Sequence, residues 1–264
     1  MTAEIQPLPP VLTIKKAKFV DLTGALSRGW EDFRRAPLFG LFFGGIYALG
    51  GWFLVWFVFL SGNNWMIYPL VIGFALIGPF VATGLYEVSR RLQADESLRW
   101  KPVLLVVFAQ QKRELGWMAF VVLFVFWVWM YQARTLVAVF FGLKGFANFD
   151  AFVGAVFTTE TGWWFLLVGH CVGAIISLVL YTLTVISCPL LLDKEIDFVT
   201  AMLTSIRTVH ASPFVMLGWG VLVVIAIVLS AAAAFGALLI VLPVLGHATW
   251  HLYCRLIRFE QMSP

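Results

Sequence analysis

The sequence predicts an all-α polytopic membrane protein, with six transmembrane helices in three hairpins, each preceded by an amphipathic helix on the inner membrane surface. Three observations carry this. Of the 264 residues, 61% are apolar and only 12% charged, with 25 Phe and 12 Trp, a composition outside the range of soluble domains. Six apolar stretches recur, each near the ~20 residues that cross ~30 Å of hydrocarbon. Sixteen of the 18 Lys and Arg lie in four short segments between and beside those stretches, which marks that side as cytoplasmic.

The N-terminal residues 1–16 are polar and rich in proline (Pro7, Pro9, Pro10) and read as a disordered cytoplasmic tail. MTAEIQPLPPV has neither a charged n-region nor an apolar h-region, so it does not read as a cleavable signal peptide. From Lys18 to Ala36, Phe19, Leu22, Ala25, Leu26, Trp30 and Phe33 recur at helical spacing with charges between them, the pattern of a helix lying on the inner surface. Pro37 opens span one, to about Leu60, and the uncharged SGNNW leads into span two, about Met66 to Tyr86. The next segment carries six basic residues and an apolar core, Val103 to Phe108, too short to cross, so it reads as a second inner-surface helix.

Span three follows, about Gly116 to Phe141. Phe146, Phe149, Phe152, Val153, Val156 and Phe157 then predict a short helix on the outer surface, where Lys144 is the single cation. Span four is about Trp163 to Leu192, and DKEIDFVTAMLTSIRTVHAS is a third inner-surface helix. Spans five (about Pro213 to Ser230) and six (about Phe235 to Tyr253) are joined by an alanine-rich turn, and residues 259–264 form a cytoplasmic tail. Residues 17–258 thus make a single six-span domain with both ends in the cytoplasm of a bacterial inner membrane.

An internal register runs through it. Asp21, Ala25 and Pro37 have the spacing of Asp197, Ala201 and Pro213, and Pro79, Arg91 and Leu92 that of Pro243, Arg255 and Leu256, with Tyr86 matching Trp250. The repeat units would be 17–92, 97–192 and 193–258. All three run in the same sense, unlike the inverted repeats of many transporters. Pro79, Pro189 and Pro243 are expected to kink the even-numbered spans near their inner ends.

Arg134 is the most unfavourable residue to place, a cation roughly 10 Å from the outer end of span three. Gln132 and His170 fall at a similar depth and Glu160 at the outer start of span four, so the four form a candidate intramembrane polar cluster. The competing expectation is a fastening role, with Arg134 snorkelling to headgroups or pairing with Glu160. His247 and His251 share one helix face, but HATWH has Ala248 where a zincin carries its glutamate, and a bridging haem would need His170 and His247 at one depth. With Trp250 they are expected to hydrogen-bond at the membrane interface. Asp193, Glu195 and Asp197 make a cytoplasmic acidic patch that either binds a cation or basic loop or pairs with Lys194, Arg90, Arg91 or Arg255. Gly40, Gly44, Gly169 and Gly173 have small-xxx-small spacing and are expected to let spans one and four pack closely, against each other or another helix. Cys171, Cys188 and Cys254 have no ligand or disulfide spacing. No metal, cofactor, catalytic constellation or nucleic-acid motif is predicted.

With these residues in view, the chain resembles the proteobacterial family of predicted integral membrane proteins numbered 2189 among the domains of unknown function. The resemblance covers roughly Asp21 to Arg258 and is carried by four stretches: GWEDFRRAPLFGLFFGGIYALGG (Gly29 to Gly51), GFALIGPFVATGLYEVSRRL (Gly73 to Leu92), LLDKEIDFVTAM (Leu191 to Met202) and LPVLGHATWHLY (Leu242 to Tyr253). It implies a six-span inner-membrane protein without an established activity. The label cytochrome c oxidase subunit I, carried by some members, has no catalytic support in four histidines.

The leading functional expectation is a non-enzymatic membrane protein that acts as accessory, assembly factor or interaction partner of another membrane complex, a respiratory one by that label, or with lipid. The alternative is a small transporter or lipid translocator using a polar site around Arg134, and the third reading a haem-binding electron-transfer protein.

Overall fold

The computed structural model describes residues 11–61, 82–111, 114–142, 146 and 149–260. Almost all of them are helical. In chain order they form β1 (Val11–Ile14), α1 (Phe19–Arg35), α2 (Pro37–Ser61), α3 (82–93), α4 (Trp100–Gln111), α5 (Glu114–Phe141), α6 (Phe149–Thr158), α7 (Glu160–Thr184), α8 (Ser187–Asp193), α9 (Phe198–Ala211), α10 (Pro213–Ala232), α11 (Leu238–Leu256) and β2 (Ile257–Glu260).

Among the described residues four stretches of helix are long and apolar enough to cross a membrane: Pro37–Leu54, Glu114–Phe141, Glu160–Asp193 and Pro213–Ser230. They correspond to expected spans one, three, four and five. Most of expected span two lies outside the described residues, though its last residues, 82–86, are helical. Helix α11, the expected sixth span, is not among the four, because its second half carries His247, His251 and Arg255.

Residues 11–14 of the N-terminal tail, expected to be disordered, form a strand, and residues 1–10 lie outside the described residues. Val11–Ile14 and Ile257–Glu260 pair antiparallel, Val11 opposite Glu260 and Ile14 opposite Ile257. β-Branched Val11, Thr13, Ile14 and Ile257 suit this ladder. The Lys15 amide donates to the Leu256 carbonyl at 2.8 Å, so the sheet is anchored to the end of α11. The N- and C-terminal segments therefore meet at one end of the bundle, here called the strand end.

Helix α1 begins where the Asp21 carboxylate accepts the Lys18 amide at 2.9 Å, and Arg34 and Arg35 fill its last turn. Its expected apolar stripe is split. Leu22, Ala25 and Phe33 face inward with Asp21, Gly29 and Asp32, while Phe19 and Trp30 are 64% and 45% exposed. The cause is α11. A Cβ at Gly29 would stand 2.7 Å from both the Ala248 nitrogen and the Val244 oxygen, so the two backbones touch, and the docked face of α1 is the one that brings its carboxylates to α11.

Helix α2 also packs on α11. A Cβ at Gly44 would lie 2.8 Å from the Leu239 oxygen, and one at Gly40 2.6 Å from the Phe33 ring and 3.4 Å from Pro243. Span one thus packs on the sixth expected span, not on the fourth. Gly173 of α7 accepts the edge of Trp129 from α5, at 3.1 Å from its Cβ position, whereas Gly169 has no neighbour within 4 Å.

The turn between α10 and α11 takes Ala234 and Phe235 to φ of 53° and 60°, a region few side chains adopt. Trp52 donates its indole N–H to the Ala234 carbonyl, and the Phe235 ring fills the notch at Gly51, so α2 holds this turn from outside. The chain breaks at Val185 and Ile186, between α7 and α8, one turn before Pro189. Proline has no N–H for the Val185 carbonyl and its ring crowds that carbonyl, so the interruption falls there. Pro243 leaves α11 unbroken, and Pro79 lies outside the described residues.

The spans expected to be equivalent run side by side. Helices α3 and α11 are parallel, with Leu85 against Gly246 and Gln93 against His251, and Tyr86 stacks on Trp250 at 6.3 Å. The joints before Pro37 and Pro213 share one backbone geometry, φ −133° and ψ 54° at Ala36 against −149° and 63° at Ser212. Asp21 and Asp197 differ, the first lying inside its helix and the second capping its helix from outside.

Candidate functional site

Near the strand end, α1, α3, α8 and α11 enclose a polar junction. His247 and His251 lie one turn apart on α11 and are 0% and 3% exposed, with Trp250 at 1% between them. The hydrogen bonding expected of these three at the membrane interface is made inside the protein, because α1 and α3 cover the second half of α11.

Donor identity orders the bonds. Trp250 Nε1 can only donate, and it meets Gln93 Oε1 at 2.8 Å. The Gln93 amide nitrogen therefore faces His251 Nδ1, at 3.3 Å, and that nitrogen must accept. The proton of neutral His251 then sits on Nε2, which donates to Asp32 Oδ2 at 2.7 Å. On the other side Ser89 Oγ lies 2.8 Å from His247 Nδ1, and the Ser89 hydroxyl also bonds Asp32. Asp32 is thus the sink of a hydrogen-bonded chain running from Trp250 and Gln93 through His251, and from His247 through Ser89. Burial pushes its carboxyl up, but the bonds from His251 and Ser89 outweigh burial and hold it below the ordinary 3.8. His247 Nε2 is buried without a hydrogen-bond partner among the described residues.

A second ring of bonds surrounds this chain. Arg255 Nη1 reaches Asp21 Oδ1 at 3.4 Å, and the Tyr253 hydroxyl donates to Asp193 Oδ2 at 2.7 Å. The Glu87 side chain, 2% exposed, accepts Arg90 Nε at 2.7 Å and Arg91 Nε at 2.6 Å, and both arginines also reach Glu96. The Arg255 and Tyr253 bonds clamp α11 to α1 and α8, whereas the Glu87 cluster is local to α3 and the loop after it. Among the described residues no group of three His, Cys, Asp or Glu is placed to hold a metal ion.

The acidic patch disperses. Asp193 takes the Tyr253 hydroxyl and Lys194 Nζ at 3.4 Å, Glu195 is exposed, and Asp197 accepts the Thr200 amide at 2.8 Å as the cap of α9, bonds that lower its carboxyl. Of the bases expected beside it, only Lys194 pairs with Asp193. Arg90, Arg91 and Arg255 bond Glu87, Glu96 and Asp21 instead.

At the opposite end, α5 and α7 run antiparallel, with Met118 beside Ser187, Trp129 against Gly173, and Phe141 against Phe165. This register sets His170 level with Arg134. No hydrogen bond or ion pair among the described residues joins Arg134, Gln132, His170 and Glu160 to one another. Arg134, His170 and Glu160 are exposed, Gln132 is half-buried, and His170 Nδ1 donates to the Leu166 carbonyl at 2.6 Å. Arg134 lines a cavity of about 720 Å³ between α5, α6 and α7, walled by Phe126, Trp127, Tyr131, Phe152 and Phe165.

Asp32, Ser89 and Gln93 are the functional candidates that sequence reasoning missed. A signal existed for one of them. Asp21, Ala25, Gly29 and Asp32 fall on one helical face, where two small residues announce close packing and two carboxylates require partners.

The matched family agrees with these membrane-length helices. Residues 67–193 match the family model of predicted integral membrane proteins, DUF2189. The DUF2189 match begins in expected span two and ends at Asp193, just short of half the chain. Of the four stretches that carried the resemblance, Gly73 to Leu92 lies within the match and Leu191 to Met202 overlaps its end, while the other two flank it. Ser89, Gln93, Arg134 and His170 fall inside the DUF2189 region and Asp32, His247 and His251 outside it, so the buried junction is shared between the region and its flanks. No curated protein and no solved structure matches the chain.

Proposed function

We propose that this is a non-enzymatic six-span protein of the bacterial inner membrane that works by binding another membrane protein along the outward face of α7. The observation that carries the reading is His170. It lies level with Arg134, about 10 Å inside the outer end of α5 and so within the ~30 Å hydrocarbon layer, yet it is exposed. An imidazole facing lipid at that depth is unfavourable, and such groups normally meet protein. Leu167 and Ala174, three residues before it and four after, are exposed on the same face, which gives a neighbouring helix a continuous stripe to pack on.

At the strand end Asp32, Gln93, His251, Tyr253 and Arg255 are engaged in helix-to-helix bonds, which favours a structural role. Topology is supported by the pairing of β1 with β2, since chain ends on one side require an even number of crossings. Arg35, Arg90, Arg91, Lys194 and Arg255 gather at that same end, which the positive-inside rule assigns to the cytoplasm.

A photoreactive residue at Leu167, exposed on the same face, tests the reading in native membranes. A discrete adduct with a second membrane protein, lost when His170 is replaced by Leu, is the expected result. Adducts with lipid alone sink the proposal.

A further inference from the structure

We propose that the cavity between α5, α6 and α7 is a binding site for an anionic phospholipid, with Arg134 holding the phosphate and the aromatic walls holding acyl chains. This site is separate from the outward face of α7, and its failure would leave that reading intact.

The cavity has the two-part chemistry of an amphiphile. Its walls are Phe126, Trp127, Phe152 and Phe165, with the Tyr131 phenol one turn from Arg134 and Trp127 packed edge-on to Tyr131 at 4.6 Å. Its single charged group is the Arg134 guanidinium. A cation in this setting needs an anion, and no hydrogen bond or ion pair engages Arg134 among the described residues. The ligand must bring the charge.

Depth selects a phospholipid. Arg134 lies seven residues from the end of α5, about 10 Å, within reach of headgroup phosphates for a long side chain that extends toward the interface. The guanidinium fork matches paired phosphate oxygens. The rings of Phe141, Phe146, Phe152 and Phe165 interlock at 5.1 to 6.3 Å where α6 folds over the groove, giving acyl chains a firm wall.

Native mass spectrometry of the full chain, released from detergent with phosphatidylglycerol or phosphatidylcholine of identical acyl chains, tests this. Wild type is expected to retain phosphatidylglycerol about tenfold over phosphatidylcholine, the scale of one charge-assisted contact. Arg134→Gln should lose that preference, while Arg207→Gln, a cation on α9, keeps it. Equal retention of the two lipids by wild type, or an undiminished preference in Arg134→Gln, overturns the proposal. Release of the lipid by millimolar inorganic phosphate also overturns it, since the site would then serve a free anion. If Arg134→Gln does not fold, a photoreactive residue at Phe152 in the otherwise unchanged chain decides. Preferential labelling of phosphatidylglycerol is expected, and equal labelling of both lipids refutes the site.

Discussion

His251 Nε2 lies 2.7 Å from Asp32 Oδ2, both side chains buried, joining helices separated by more than two hundred residues of chain. Such a bond stabilises modestly when made, but a buried donor left without its acceptor costs more. Asp32→Ala is expected to lower stability by about 2 to 3 kcal/mol, because it strands both His251 Nε2–H and the Ser89 hydroxyl. Asp32→Asn, which keeps an acceptor oxygen, should cost less than half of that. Thermal unfolding of the purified variants in one detergent measures both, and equal stability of wild type and Asp32→Ala would show that the bond does not hold α1 to α11.

The same carboxylate predicts a pH dependence. Its folded value lies below the ordinary 3.8, so the unfolded chain takes up this proton first as pH falls. The contribution is therefore fully present above the unfolded value and disappears as pH drops through the folded one. The stability gap between wild type and Asp32→Asn should stay level from pH 7 to about 4 and close only below that. A gap that closed near pH 6 instead would assign the titration to an imidazole.

Gly44 and Gly169 separate a glycine in tight helix contact from one beside open space. Gly44→Ile must push its Cβ against the Leu239 carbonyl, a backbone atom that cannot swing aside, and should destabilise by about 1 to 3 kcal/mol. A Cβ at Gly169 meets no atom within 4 Å, so Gly169→Ala should leave unfolding in detergent unchanged. Comparable losses in both would mean that α7 has an intrachain neighbour at Gly169.

The membrane-length helices were legible because hydrocarbon imposes one requirement, length with apolarity, on each local stretch. Helices α1, α9 and the short α6 were legible for a related reason, since a period of 3.6 is a local pattern, and α4 because its apolar core is too short to cross. Partners were not. His247, His251 and Trp250 look interfacial when α11 is read alone, and only the approach of α1 through Gly29 turns them into an interior cluster. Strand β1 was hidden because four residues pair only with four others at the far end of the chain. Arg134 was singled out by cost alone, and its aromatic surroundings come from three helices.

The DUF2189 region cannot be expected to fold by itself. Residues 67–193 contain Ser89, Gln93 and Asp193, but their partners His247, His251, Trp250 and Tyr253 lie in the flanks, as does Asp32. The flanks also supply α2 and α11, without which Leu85 loses Gly246 and Gly84 loses the Phe43 ring that fills it. Expressed alone, 67–193 should be degraded or aggregate in membranes. Co-expression with separate 1–66 and 194–264 fragments should restore a soluble detergent complex, weakened in proportion by Asp32→Ala. Size-exclusion chromatography reads the result, and a monodisperse 67–193 fragment would show that the junction with the flanks is dispensable for folding.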